Sequence, residues 1–190
     1  MIEDRILAAK QYVKTLFADR ADGHDVEHTL RVYTNAMRIA QAEGSCDLEI
    51  VGLSALLHDA DDYKLFQTEN NANARMFLEE IGTPKNQIEQ ICRVINAVSF
   101  SKNRDKHPET LEAKIVQDAD RLDAIGALGI ARTFSYGGHK GRPLTDTIQH
   151  FHDKLLLLKD EMNTETAKQM AESRHQFIIT FLKELEKELD

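Results

Sequence analysis

Apolar residues recur along this chain at spacings of three and four, the period of an α-helix. No stretch sustains the alternation of a half-buried strand. Ile2, Ile6, Val13, Leu16 and Phe17, widened by Leu7 and Ala9, predict a helix over 2–19. Val26, Leu30, Tyr33, Met37 and Ala40 predict a second over 24–43, with Gly44 as its stop. Asp47 is placed to cap a third helix over 47–60. Its segment from Ile50 to Leu57 is apolar nearly all round, the mark of a central, buried helix. Further helices are expected over 70–81, ending at Gly82, and over 84–98, with Thr83 as N-cap and Pro84 at the first helical position. A polar loop from Ser101 to Pro108 follows. The next helix begins near Glu109 and carries Asp118 to Ala131. A glycine-rich basic loop, Tyr136 to Pro143, separates it from helices over 145–160 and 163–188. The stripe Phe177, Ile178, Phe181 and Leu182 is expected to pack on the core or on a partner chain. The pattern therefore predicts an all-α fold, a single helical bundle of about eight helices spanning residues 1–190.

Composition narrows the class. At 190 residues with 42% hydrophobic and 29% charged residues, the chain has material for one ordinary core. It has no apolar run of roughly 18 residues, so no membrane partner is expected. Its acidic, amphipathic start lacks the pattern of a secretory leader, and a cytoplasmic location is expected. Cys46 and Cys92 read as two reduced thiols. A net charge of −8 argues against a nucleic-acid partner. It leaves room for a small anionic substrate in a locally basic pocket.

The dipeptide His-Asp occurs three times, at His24-Asp25, His58-Asp59 and His152-Asp153, where composition leads one to expect fewer than one. Position separates them. His58-Asp59 closes the apolar run Leu53 to Leu57, where two ionisable groups need a partner or an ion. The plainer alternative is a capping Asp beside a hydrogen-bonded core His. His28 lies among Leu30, Val32 and Tyr33, and Asp120 lies within the otherwise apolar Ile115–Leu128 together with Asp118 and Asp123. Asp118 and Asp120 are two residues apart, so on a helix they point about 200° away from each other and cannot share an ion. Gly126 and Gly129 are costly inside a helix, about 1 kcal/mol each, and suggest close packing there. A competing reading is a zinc peptidase, since His24-Asp25-Val26-Glu27-His28 mimics H-E-x-x-H. It has Asp where Glu is needed, and it leaves His58, Asp59 and Asp120 unexplained.

His28, His58-Asp59 and Asp120 within Ala119-Asp120-Arg121-Leu122 resemble the H…HD…D signature of the HD-domain metal-dependent phosphohydrolases. The segments Gly23–Val32, Leu56–Asp59 and Lys114–Ala127 are similar to those of a small stand-alone bacterial branch of that family, along nearly the whole chain. The resemblance implies that His28, His58, Asp59 and Asp120 hold one divalent ion. Two imidazoles and two carboxylates suit Mn, Mg, Co, Ni, Fe or Zn without choosing among them. A second ion lacks ligands, because only His107 lies between the HD pair and Asp120. The implied activity is phosphohydrolysis of a nucleotide by metal-activated water, in the form of nucleoside triphosphate pyrophosphohydrolysis. A nucleoside 5′-monophosphatase or phosphodiesterase, and a nucleotide-sensing module without turnover, are the alternatives.

Further residues take roles from their positions. Asp62 is read as a proton shuttle and Lys64 as a phosphate contact, against a solvated charged loop for both. His24 shares a helical face with His28 and is read as contacting the attacking water or the leaving group, against a purely structural histidine. Arg121 either orients Asp120 and contacts substrate or forms a packing ion pair. Lys102, Arg104 and Lys106, or His139, Lys140 and Arg142, form the basic rim that phosphates need, unless those loops are simply solvated. The partner is then a small phosphate ester, and a homodimer is left open.

Overall fold

The computed structural model describes residues 2–18, 25–63, 65–98 and 108–189. These residues form nine α-helices and one 3₁₀ helix, with no strand among them, as the periodicity predicts. The helices are α1 (Ile2–Leu16), α2 (Val26–Glu43), α3 (Leu48–Leu57), α4 (Ala72–Glu80) and α5 (Lys85–Val98). They continue with α6 (Leu111–Asp123), α7 (Gly126–His139), α8 (Leu144–Asp153), the 3₁₀ helix Leu155–Glu161, and α9 (Glu165–Leu189).

The hub is α3. Every one of its residues except Leu48 is buried, and α1, α2, α5 and α6 pack around it. Gly52 makes this approach possible: a Cβ there would stand 2.8 Å from Ile6 Cδ1 and 3.3 Å from Tyr33 Cε2. Asp47 starts the helix as expected, accepting the amides of Glu49 and Ile50 at 2.9 and 3.1 Å. The helix ends earlier than expected, with His58 as its C-cap, and residues 58–60 turn away. His58 and Asp59 therefore stand at the end of the most buried helix, where a side chain can leave the helix axis. Asp61 then accepts the amides of Asn73 and Ala74 at 2.9 and 3.0 Å and so anchors the start of α4. Buried side chains from all nine helices join one apolar cluster.

Three expectations fail in the second half. The helix expected to run from Glu109 through Ala131 is two helices, broken at Ala124–Ile125. Gly126, at φ 81°, makes the break, and the Arg174 side chain packs 3.0–3.1 Å from where its Cβ would be. Gly129 follows because a Cβ there would stand 2.3 Å from the Ala124 carbonyl oxygen. The two glycines thus lie in the first turn of the second helix, right after the break, rather than in the interior of one long helix. The glycine-rich loop expected over 136–143 is helical as far as His139. Gly137 lets α8 close in, since a Cβ there would lie 2.6 Å from Thr147 Oγ1. The helix expected over 145–160 also breaks: Lys154, at φ −140°, separates α8 from the 3₁₀ helix. On α9, Ile178 and Leu182 are buried and Phe181 rests on Phe134, while Phe177 is exposed.

Candidate metal centre

Three helices aim side chains at one point. Asp25 caps α2 and accepts the backbone amide of His28 at 2.7 Å, which fixes His28 in the first turn. The buried His28 faces the C-terminal end of α3, where His58 and Asp59 stand, and Asp120 reaches in from α6. The two imidazole Nε2 atoms are 3.3 Å apart. Asp59 Oδ2 lies 3.3 Å from His58 Nε2 and 3.6 Å from His28 Nε2. Asp120 Oδ1 lies 3.5 Å from His28 Nε2 and 3.9 Å from His58 Nε2. One ligand atom each from His28, His58 and Asp120 falls within 4.8 Å of the others.

The far nitrogen of each ring is committed. His58 Nδ1 lies 2.9 Å from the Ala55 carbonyl oxygen, and His28 Nδ1 lies 2.7 Å from Asp123 Oδ2. A carbonyl and a carboxylate only accept, so both Nδ1 atoms donate, and each ring turns its Nε2 to the centre, where its lone pair can meet an ion. Two lone pairs and two carboxylates converging this closely repel one another until a proton or a cation sits among them. Burial pushes the His58 imidazole down, but the charges of Asp59 and Asp120 outweigh it and raise its pKa to about 9. The centre attracts positive charge strongly, and its donor set of two imidazoles and two carboxylates fits a divalent ion of the Mn-to-Zn series.

Asp123 is the residue that sequence reasoning missed. It is 1% exposed and lies one helical turn beyond Asp120. Burial raises its pKa, yet hydrogen bonds from His28 and Arg31 overcome that and hold the carboxyl well below the usual carboxylate range. Arg31 Nε donates to Oδ1 at 2.8 Å and its Nη2 to Oδ2 at 3.2 Å; Arg132 Nη1 donates to Oδ2 as well. Asp118, the third carboxylate of the segment, turns away from the centre as the 200° offset requires. Its oxygens accept four hydrogen bonds from Asn163 and Thr164 at the start of α9.

The other predicted residues are distributed as follows. Asp62 is half-buried in the turn after Asp59, where its carbonyl accepts the amides of Leu65 and Phe66 at 2.9 Å. Arg121 is buried, with Nη1 donating to the Glu161 carbonyl and Nη2 3.4 Å from the Glu161 carboxylate. His139 and Lys140 are exposed at the end of α7, and Lys140 and Arg142 lie 5.6 and 5.8 Å from the Tyr136 ring. No described contact joins them to the His28–His58 cluster. His24, Lys64, Lys102, Arg104 and Lys106 lie outside the described residues.

The HD domain family model matches residues 25–125, just over half of the chain. In sequence the chain is 41% identical over 188 residues to the uncharacterized protein YpgQ of Bacillus subtilis, covering 95% of this chain and 91% of YpgQ. It is similar to the crystal structure of B. subtilis YpgQ in complex with ADP, with a TM-score of 0.83 and 36% identity over 96% of this chain and 97% of that one. A Bacillus thuringiensis HD-superfamily hydrolase aligns with a TM-score of 0.82 and 36% identity, over 100% of this chain and 98% of that one. No helix among the described residues is long and apolar enough to cross a membrane.

Proposed function

The chain belongs to the HD domain family, and on that premise we propose that it is a metal-dependent phosphohydrolase of nucleotides. Its reaction is hydrolysis of a nucleoside triphosphate to a monophosphate and pyrophosphate. The observation that carries this reading is the convergence of His28, His58, Asp59 and Asp120, from three helices, on one electron-rich point. The ADP complex of the similar YpgQ supports a nucleotide as the ligand class.

His28, His58, Asp59 and Asp120 hold the ion, and the two carboxylates neutralise it. A divalent ion, manganese among the candidates, supplies Lewis acidity at a phosphoryl oxygen and lowers the pKa of a coordinated water. Asp62 accepts the proton that the attacking water loses. His24 and Lys64 meet the leaving group and a phosphate. Lys102, Arg104, Arg121, His139, Lys140 and Arg142 are candidates for the remaining phosphate charge. The reading takes residues 1–190 as one HD domain acting in the cytoplasm, alone or as a homodimer, on a small phosphate ester and not on nucleic acid.

The test is a screen of the purified chain with Mn, Mg, Co, Ni, Fe and Zn against nucleoside mono-, di- and triphosphates and cyclic nucleotides. Products are separated by ion exchange. Metal-dependent release of pyrophosphate from a triphosphate is expected. Orthophosphate or an opened cyclic nucleotide instead would move the reading to a monophosphatase or a phosphodiesterase. Nucleotide binding with no turnover under any metal would make the chain a sensing module. Full activity in Asp59→Ala would overturn the metallohydrolase reading altogether.

A further inference from the structure

The two histidines at the centre are held in different ways. His58 Nδ1 donates to a neutral acceptor, the Ala55 carbonyl oxygen, at 2.9 Å. His28 Nδ1 donates at 2.7 Å to Asp123, a buried carboxylate that also accepts from two guanidinium groups. The arrangement around Asp123 is closed: Oδ1 takes Arg31 Nε, while Oδ2 takes His28 Nδ1, Arg31 Nη2 and Arg132 Nη1. Arg132 Nη1 also reaches the Asp123 carbonyl oxygen at 3.3 Å. Asp123 itself is the last residue of α6, just before the chain breaks at Ala124–Ile125, and Arg174 Nη1 donates to the neighbouring Leu122 carbonyl. Its position is therefore set from α2, α7 and α9 together.

Resting on the metal reading above, we propose that Asp123 is a positioning residue for the ion. It locks His28 in the Nδ1–H form with the Nε2 lone pair aimed at the centre, and its charge makes that nitrogen the stronger of the two imidazole donors. Arg31 and Arg132 act through it: they hold the carboxylate in one orientation toward His28. The uncharged isostere, Asp123→Asn, cannot do the same. If its amide oxygen stays toward His28, its N–H₂ group faces the Arg31 Nε–H, a donor against a donor. If the amide turns over, that group faces His28 Nδ1–H instead. Removal of such an outer carboxylate typically lowers metal affinity 10–100-fold.

The experiment compares wild type, Asp123→Asn, Arg31→Gln and His58→Ala. Mn2+ affinity is measured by calorimetry, and the loaded site by the visible absorption of Co2+. In Zn2+-loaded protein, the hydrogen-bonded His28 Nδ1 proton is followed as a downfield resonance. Asp123→Asn is expected to bind Mn2+ roughly 10–100-fold more weakly, to shift the Co2+ bands and to lose the downfield resonance. A merely structural Asp123 would lower thermal stability and leave all three readouts alone. Wild-type affinity within about threefold and an unchanged Co2+ spectrum in Asp123→Asn would overturn the proposal. Should that variant fail to fold, Arg31→Gln decides. Weakened affinity with shifted Co2+ bands supports the proposal, and unchanged binding overturns it. A wild-type chain that takes up neither ion, or a His58→Ala variant that binds as tightly as wild type, sinks the metal reading and this inference with it. Tight wild-type binding, lost in His58→Ala but kept in Asp123→Asn, sinks the inference alone.

Discussion

Asp118→Ala separates the two carboxylates that lie two residues apart on α6. Asp118 has no solvent exposure. Its Oδ1 accepts Asn163 N and Nδ2 at 2.9 and 2.8 Å, and its Oδ2 accepts Thr164 N and Oγ1 at 2.8 and 2.7 Å. Thr164 in turn accepts the Ala167 amide at 3.3 Å, so this carboxylate organises the first turn of the longest helix. Alanine strands the donors around Thr164, at about 1–3 kcal/mol for each buried group left unpaired. Part of this is offset, because burial already disfavours the charged carboxylate and pushes its pKa up despite those hydrogen bonds. The expected net loss is about 3–4 kcal/mol. At roughly 2–4 °C per kcal/mol for a domain of this size, Tm falls by about 6–16 °C. Calorimetric melting of the protein in a chelator measures it. Mn2+ affinity, measured well below the new Tm, should stay within about threefold of wild type. A change in Tm under about 2 °C, or loss of metal binding with Tm intact, would refute the reasoning.

Asp120→Asn should do the reverse, removing one of two neutralising charges so that Mn2+ affinity collapses while metal-free Tm moves little; equilibrium dialysis and melting check both. Asp62→Asn should leave metal occupancy unchanged and lower kcat roughly 10²–10⁴-fold if Asp62 moves a proton, and wild-type turnover would return it to a solvated turn. Gly129→Ala places a Cβ where the Ala124 carbonyl stands 2.3 Å away and should destabilise the chain strongly, whereas Gly138→Ala, in open space within α7, should be neutral or stabilise it by about 0.5–1 kcal/mol; chemical denaturation distinguishes the pair.

The cluster at the centre was legible because a metal site spends several residue types at fixed places. His58-Asp59 after an apolar run, and an acid inside Ile115–Leu128, are too costly to bury without a partner or an ion. The helices were legible for a similar reason, since each stripe must face a common core. The break between α6 and α7 was not. The apolar spacing continues unbroken through Ala124–Ile130, and the side chain that crowds Gly126 at its positive φ comes from Arg174, a residue distant in sequence. The helical end of α7 was hidden by its own composition, because Gly137 and Gly138 read as loop until Thr147 is seen to need the space at Gly137. Asp123 was visible as excess charge in Asp118–Asp123. Which carboxylate goes to the centre, to the α9 start or to His28 depends on where the partners Asn163 and Arg31 arrive, and that is a matter of tertiary contact.

If the proposed ion binds there, the placement of His58 and Asp59 at the C-terminal end of α3 ties its occupancy to the lifetime of the protein. The helix hub ends in carbonyl groups whose dipoles favour a cation, and the side chains from α2 and α6 meet that end only when the bundle is assembled. An ion bound by this geometry has no equivalent site in the unfolded chain, so it shifts the folding equilibrium by mass action. At a free concentration about one hundred times Kd this amounts to about 2.7 kcal/mol. On the proposed metal reading, starvation for the ion would lower the abundance of the chain as well as its activity, because the metal-free population would open more often and be exposed to proteolysis.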